Sequence, residues 1–312
     1  VYEDQEDPKW QGHRLSSGRF SGAAQGIVNI EVPPKYKLGF KPNSRLYENP
    51  QLMDGISNQF EGLLLEASSV YEEDDPRFTK LFPHLGHLTK LQELYIDRSD
   101  VSDQQIGELP MLNSLERFCA FSDMLVKGSC LQRLSKYPNL KQMNFCLSGF
   151  DPKNLALLKD VKTLEALNLS QNRLAGGLNK STACPSLKLL DISSTGVTDN
   201  DLKSLQKFPN LEHLDVDHCP ITDAGLTSLA ELKHLKWLDV QGTGVTAGGV
   251  MTLLKKVHLE RLLLTNRQFS NADVQKISAL CRGTFFGTED RKRAPTKEEQ
   301  RLFAPITRHA GF

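Results

Sequence analysis

The chain has 312 residues, 39% of them hydrophobic and 24% charged, with Lys plus Arg equal to Asp plus Glu at 38 each. Such balance creates no net field toward nucleic acid or an anionic membrane, and no apolar run approaches the roughly 18 residues of a spanning helix. The 6 cysteines, at 119, 130, 146, 184, 219 and 281, include no Cys-x-x-Cys pair, which leaves a metal site or a disulfide framework poorly supported and suggests buried free thiols.

Residues 1–59 are rich in Gly, Pro and aromatics and read as an N-terminal arm and cap, with Ile27–Val32 as a strand that Pro33 and Pro34 stop. The chain starts at Val1 without Met and shows no apolar signal core. This reads as a processed product, exported or imported into an organelle, with the cytoplasm as the alternative.

From Phe60 the string Leu-x-x-Leu-x-Leu recurs, starting at Phe60, Leu91, Leu115, Leu140, Leu164, Leu187, Leu211, Leu235 and Leu259. The steps from Leu91 onward are 24, 25, 24, 23, 24, 24 and 24 residues, a period that marks a stacked repeat. The first step, from Phe60 to Leu91, is 31 residues and carries Glu72-Glu73-Asp74-Asp75. It reads as the same unit with an acidic insertion within 66–90.

Inside a unit, Leu211, Leu214 and Val216 suit a short strand with one buried face. Leu226, Leu229 and Leu232 then follow at helical spacing behind Thr222, which can cap the helix start. Parallel copies stand at Val197-Thr198-Asp199 and Val101-Ser102-Asp103, the latter with Gln105 at capping-box spacing. No unit can bury its apolar face alone, so neighbours must stack.

After the last string, 268–283 reads as a C-terminal capping helix, with Cys281 on its inward face. Residues 284–312 read as a tail with Arg291-Lys292-Arg293 and a short helix from Thr296 to Leu302.

The pattern resembles the leucine-rich repeat family, in its 24-residue form Leu-x-x-Leu-x-Leu-x-x-Thr/Cys-x-x-Val/Ile-Thr-Asp-x-Gly-Leu. Leu211 to Leu226 and Leu187 to Leu202 match best. The resemblance covers roughly 60–281 and implies an α/β solenoid of about nine repeats, curved, with a parallel sheet on the concave face and short helices on the convex face. It implies an inward-packing ladder residue at motif position nine: Ser99, Asp123, Ser148, Asn172, Thr195, Cys219, Thr243 and Arg267, of which Asp123 and Arg267 fit poorly.

The resemblance also places partners on the concave face, where three rows run across the strands. One is Glu93, Arg117, Gln142, Ala166, Leu189, His213, Trp237 and Arg261. The next is Tyr95, Cys119, Asn144, Asn168, Asp191, Asp215, Asp239 and Leu263. The third is Asp97, Phe121, Cys146, Ser170, Ser193, Asp217, Gln241 and Thr265. The early half, around Tyr95 and Phe121, is apolar. The later half gathers Asp191, Asp215, Asp217 and Asp239 around His213 and Trp237, with Gln241 and Arg261 beside them. Carboxylates on neighbouring strands repel, which suits a basic partner, and an aromatic in mid-sheet is an interface anchor type. Asp is also frequent at this strand position in such repeats, where it is solvated or bonds along the ladder.

His213, Asp215 and Asp217 alternate toward one face and could hold a metal or move protons, but no lid, phosphate loop or activated nucleophile accompanies them. The expectation is therefore a non-enzymatic scaffold or interaction subunit without cofactor. It would bind one or more proteins through the concave face and the arms, and its oligomeric state is left open. The alternative is a surface or secreted protein recognising a host protein or glycan. No F-box-like helical segment is visible in 1–59 to support a role in ubiquitin ligation.

Overall fold

Each Leu-x-x-Leu-x-Leu string is followed, two residues after its start, by a strand. This computed structural model describes residues 2–3, 36–37, 39–42, 44–56, 58–66, 76–99, 101–265, 269–281 and 285–287. The expected strand at Ile27–Val32, the acidic run 72–75, Arg267, Arg291-Lys292-Arg293 and the helix from Thr296 lie outside them.

Strands β1 (Tyr2–Glu3) and β2 (Tyr36–Lys37) form an antiparallel pair. A second sheet begins with β3 (Gly39–Phe40), which is followed by helix α1 (Ser44–Glu48). The repeats then supply β4 (Gly62–Glu66), β5 (Glu93–Asp97), β6 (Arg117–Cys119), β7 (Gln142–Asn144), β8 (Ala166–Asn168), β9 (Leu189–Asp191), β10 (His213–Asp215), β11 (Trp237–Asp239) and β12 (Arg261–Leu263). With β13 (Phe285–Gly287) they make one parallel, 11-stranded sheet among the described residues, in strict sequence order. Register follows the repeat, so that His213 stands between Leu189 and Trp237. Gly62 stands opposite Glu93, a 31-residue step, so the long unit keeps its place in the sheet.

The returning half of each unit is a short helix. These include α2 (Asp103–Gly107), α3 (Leu131–Leu134), α4 (Asp199–Leu202), α5 (Asp223–Leu229), α6 (Ala247–Leu254) and α7 (Asn271–Leu280), with 3-10 turns at Pro76–Leu85, Pro152–Asp160 and Lys203–Lys207. The tight 3-10 form appears where the Thr-Asp start is missing, as in Pro152–Asp160, or where an α turn runs out, as after α4. Ser102 and Gln105 form the expected capping box, and Thr222 accepts from the amide of Ala224. Cys281 caps α7 rather than sitting within it.

Between sheet and helices lies one continuous apolar core running from Tyr47 to Cys281. Leu211, Leu214 and Val216 are fully buried, as are Leu94 and Ile96 five units earlier. Each buried side chain of this size is worth about 1.5–3 kcal/mol against exposure.

Position nine closes each strand. Asn172 donates to the carbonyls of Phe145, Leu169 and Ser170 and accepts from the amides of Gly149 and Phe150. Thr195 and Cys219 both donate to the carbonyl of Ile192. Asp123, which looked out of place in the sequence, fits this ladder. Fully buried, it accepts from the Ser99 hydroxyl at 2.8 Å and from the amides of Ser99 and Val101. A carboxylate does here what Asn172 does two units on, except that burial pushes its pKa up to about 7.

The residue just before the ladder position turns left-handed in every regular unit: Arg98, Ser122, Leu147, Gln171, Ser194 and His218 have φ between 52° and 58°, and Gly242 has 62°. Only the last is a glycine, so the turn is imposed by stacking on residues that resist it.

The Thr-Asp-x-Gly string has an inter-repeat cause. Asp199 accepts from the amide of Thr222 at 2.8 Å and from its hydroxyl at 2.6 Å, and Asp223 holds Thr246 in the same way at 2.7 and 2.6 Å. A Cβ at Gly225 would come within 2.4 Å of the Asp199 carboxylate, and one at Gly249 within 2.0 Å of Asp223. The glycine leaves room for the preceding unit's aspartate.

Candidate functional site

The sheet face turned away from the helices carries the three rows expected from the sequence. Asp191, Asp215 and Asp239 are register neighbours on β9, β10 and β11, and His213, Trp237 and Arg261 are register neighbours on β10, β11 and β12. The backbone bonds from Ser194 to Asp217 and from His218 to Gln241 carry the register into the third row. Seven of the ten residues singled out, together with Gln241 at the rim, therefore form one patch. Tyr95 and Phe121 stand apart, since β5 lies five strands from β10, about 24 Å away at the usual strand spacing.

The aspartate row has a local structural reason. The Oδ1 atoms of Asp215 and Asp239 accept the amides of Asp217 and Gln241 at 2.9 Å, and Asp191 accepts the amide and hydroxyl of Ser193. In a continued ladder the amide of Asp217 would meet the carbonyl of Ile192, but that carbonyl is taken by Thr195 and Cys219. The short acceptor two residues back closes the orphaned donor. Asn144 and Asn168 do the same for Cys146 and Ser170 at 2.8 Å.

An amide side chain thus suffices at this position, and the charge on Asp191, Asp215 and Asp239 is an addition. It is a costly one, because the row is not solvated as its place on an open sheet would suggest. Asp191 and Asp239 are 5% and 6% exposed and Asp215 is half-buried. Burial raises the pKa of Asp191 to about 6 and of Asp239 to about 8, with the other carboxylates of the patch adding to it. Burial also pushes Asp215 well up, with Asp239 and then Asp191 contributing. Arg261 pulls Asp239 the other way.

Above the row, the rings of His213 and Trp237 stack at 6.2 Å with an interplanar angle of 24°. Both are half-buried, as are Asp217, Gln241 and Arg261. His218, in the exposed turn, pairs with Asp217. Among the described residues no group of three or more His, Cys, Asp or Glu is arranged to hold a metal ion.

The early half is a separate apolar cluster on the same face, built from Cys119, Phe121 and Cys146 with Tyr95 and Leu147 against it. Arg98 lies over the Phe121 ring at 5.7 Å. Beside it is a polar group that sequence reasoning missed: Glu93 takes an ion pair from Arg117 and a hydrogen bond from the Tyr95 hydroxyl, and Arg117 reaches Gln142 at 3.0 Å. The alternation of Glu and Arg in one row was its available signal. A second missed feature runs along the rim, where Glu116, Lys141, Glu165, Lys188, Glu212 and Lys236 alternate in sign. Lys141, Lys188 and Lys236 pair with the glutamate of the preceding unit at 3.4, 3.2 and 2.6 Å.

The family profile described as Leucine Rich repeat matches residues 183–205 and 209–230. No curated protein matches the chain. Among solved structures, the mouse RP105/MD-1 complex is similar with a TM-score of 0.51 at 16% identity, over 76% of this chain and 40% of that one. An internalin from Listeria monocytogenes gives 0.47 at 16% identity, over 80% and 79%. A TLR13–ssRNA13 complex gives 0.44 at 16%, over 67% and 36%, so the chain spans well under half of the first and last of these three. The matched repeats and the stacked parallel sheet make the chain a leucine-rich repeat solenoid.

Proposed function

We propose that this solenoid is a non-enzymatic protein-interaction subunit that binds a basic segment of a partner protein on the later half of its concave face. The observation that carries this reading is the run Asp191, Asp215 and Asp239. Each already has its structural duty met by one oxygen, a duty that asparagine performs in the neighbouring units. Three adjacent carboxylates, Asp191 and Asp239 buried and Asp215 half-buried between them, are a cost that a bound cationic group offsets, and Trp237 stacked on His213 supplies a flat apolar platform beside them. The extent of this face supports a scaffold role, in which the arms would be further contacts. Recognition of a host protein or glycan through the same platform is the second reading, favoured by the exposed part of Trp237.

The test is affinity purification from the native source with the full chain and with a Trp237→Ala, Asp215→Asn variant. Asparagine keeps the bond to the Asp217 amide, so the variant is expected to unfold as cooperatively as wild type while losing its partner. A partner retained in full by a folded variant would remove the concave face from the reading.

A further inference from the structure

The unit that starts at Leu115 is 25 residues long, where the units on either side of it have 24. Elsewhere the ladder residue is followed two positions on by a buried apolar side chain, as Ser99 is by Val101, Ser148 by Phe150 and Asn172 by Leu174. After Asp123 that side chain comes three positions on, as Val126, which is fully buried. The extra residue is therefore in the turn 123–126, which the bond from the Val126 amide to the Asp123 carbonyl closes at 3.0 Å. Met124 and Leu125 stand out on this turn, 52% and 44% exposed. Among the described residues the exposed large apolar side chains are Leu52, Met111, Met124, Leu125 and Leu280, and only these two are adjacent. A single apolar side chain in water needs no explanation, but a pair pushed out by an insertion does.

Leu147, half-buried, extends the patch by one strand, since the amides of Arg98, Ser122 and Leu147 bond in turn to the carbonyls of Phe121, Cys146 and Ser170. The open charges around the patch have one sign. Lys127 holds its ammonium against the turn, donating to the Met124 carbonyl at 2.7 Å. Arg98, one unit back, lies over the Phe121 ring at 5.7 Å, and Arg173 is exposed two units on. Among the described residues none of these three cations pairs with a carboxylate. The nearby carboxylates are already engaged: Asp151 pairs with Lys153 at 2.8 Å, and Asp103 accepts the amides of Lys127, Gly128 and Ser129.

We propose that the Met124–Leu125 turn docks an acidic segment of a partner protein, a short stretch in which an apolar side chain stands between carboxylates. The apolar side chain packs on Met124, Leu125 and Leu147, and the carboxylates meet Arg98, Lys127 and Arg173. From β5 to β8 the cations spread over three strand steps, about 14 Å, which about four residues of extended chain span. A lipid surface takes a broader apolar area than one turn presents, and at the same place in later units stand Ser194, His218 and Gly242. This surface is opposite in sign to the row of Asp191, Asp215 and Asp239 and belongs to other units, so it goes beyond the proposed function.

A random library of displayed peptides is selected on the full chain and on a Met124→Ser, Leu125→Ser variant. Both side chains are exposed, so the variant is expected to unfold at the temperature of wild type. Peptides with an apolar residue flanked by Asp or Glu are expected from wild type alone. A synthetic peptide of that composition, followed by fluorescence anisotropy, is expected to lose about tenfold in affinity with the serine variant. It is expected to lose about fivefold with Arg98→Gln and Lys127→Gln together, which leave Met124 and Leu125 in place, and to weaken as salt rises through about 0.1 M. Its binding is expected to be unchanged by Trp237→Ala with Asp215→Asn, whereas basic peptides are expected to depend on those two and not on the turn, so the two surfaces fail separately. Selected peptides without carboxylates, or equally tight binding by the folded serine variant, overturn the proposal. So does adsorption to vesicles of phosphatidylcholine and phosphatidylserine without peptide binding, which makes the turn a membrane contact.

Discussion

At the scale of single residues, the most informative feature is the pairing of an indispensable acceptor with a dispensable charge. Asp123 sits where Asn172 sits two units on and accepts three hydrogen bonds in a site closed to water. Its folded pKa of about 7 lies above the ordinary 3.8. A carboxyl raised on folding contributes stability that is complete below the unfolded value and is lost as pH rises through the folded one. Asp123→Asn keeps an acceptor and cannot ionise. Its stability relative to wild type, measured by urea unfolding, is therefore expected to improve between pH 5 and pH 9, by an amount on the order of a few kcal/mol. A difference that stays constant across that range would show that Asp123 does not titrate there. Asp123 could not be judged from its motif position, because a charged residue there is unusual until its three donors are seen.

At the scale of the element, the short helices are set by their neighbours more than by their own propensity. The helix of four to eight residues in each regular unit is below the length that is stable alone. What aligns it is the aspartate of one unit gripping the threonine of the next. Gly225→Ala is therefore expected to cost roughly 1–3 kcal/mol, by driving a methyl group into the Asp199 carboxylate. Asp199→Ala is expected to cost about 1 kcal/mol through the lost bonds to Thr222. Because the first change acts through the second residue, the double variant is expected to be more stable than the sum of the two predicts, which a double-mutant cycle in denaturant would read. Full additivity would place the strain of Gly225→Ala elsewhere, for instance on Ile221, whose methyl is also close. The Thr cap was legible in the sequence as a local device; its bond to the previous unit was not, since that contact spans 23 residues.

At the scale of the whole molecule, stability is a sum over units and the interfaces between them. Leu214 is fully buried in the middle of the stack, and Leu214→Ala is expected to cost 2–5 kcal/mol, as roughly measured for buried leucines, without changing the burial of the concave rows. Chemical denaturation with Trp237 emission as the probe would check both parts. A loss of much less than 1 kcal/mol would mean that this part of the solenoid opens independently of the rest.

The repeat period by itself determined the architecture: nine strand positions, their parallel order, their mutual register and the identity of the core leucines. It could do so because each of these depends only on contacts between residues one period apart, which the sequence displays as a repeat. The rows of the concave face followed from the same register, and so the ten candidate residues could be placed but not weighed. The tertiary structure decided what those residues are doing. It showed that the row aspartates close an amide left open at the end of each strand, that the row is buried rather than solvated, and that Tyr95 and Phe121 belong to a different patch. It also added β3 and β13, two and three residues long, which carry no pattern of their own and pair because the sheet presents them with open edges. Burial and hydrogen-bond partnership depend on what lies across space from a side chain, and no repeat period records that.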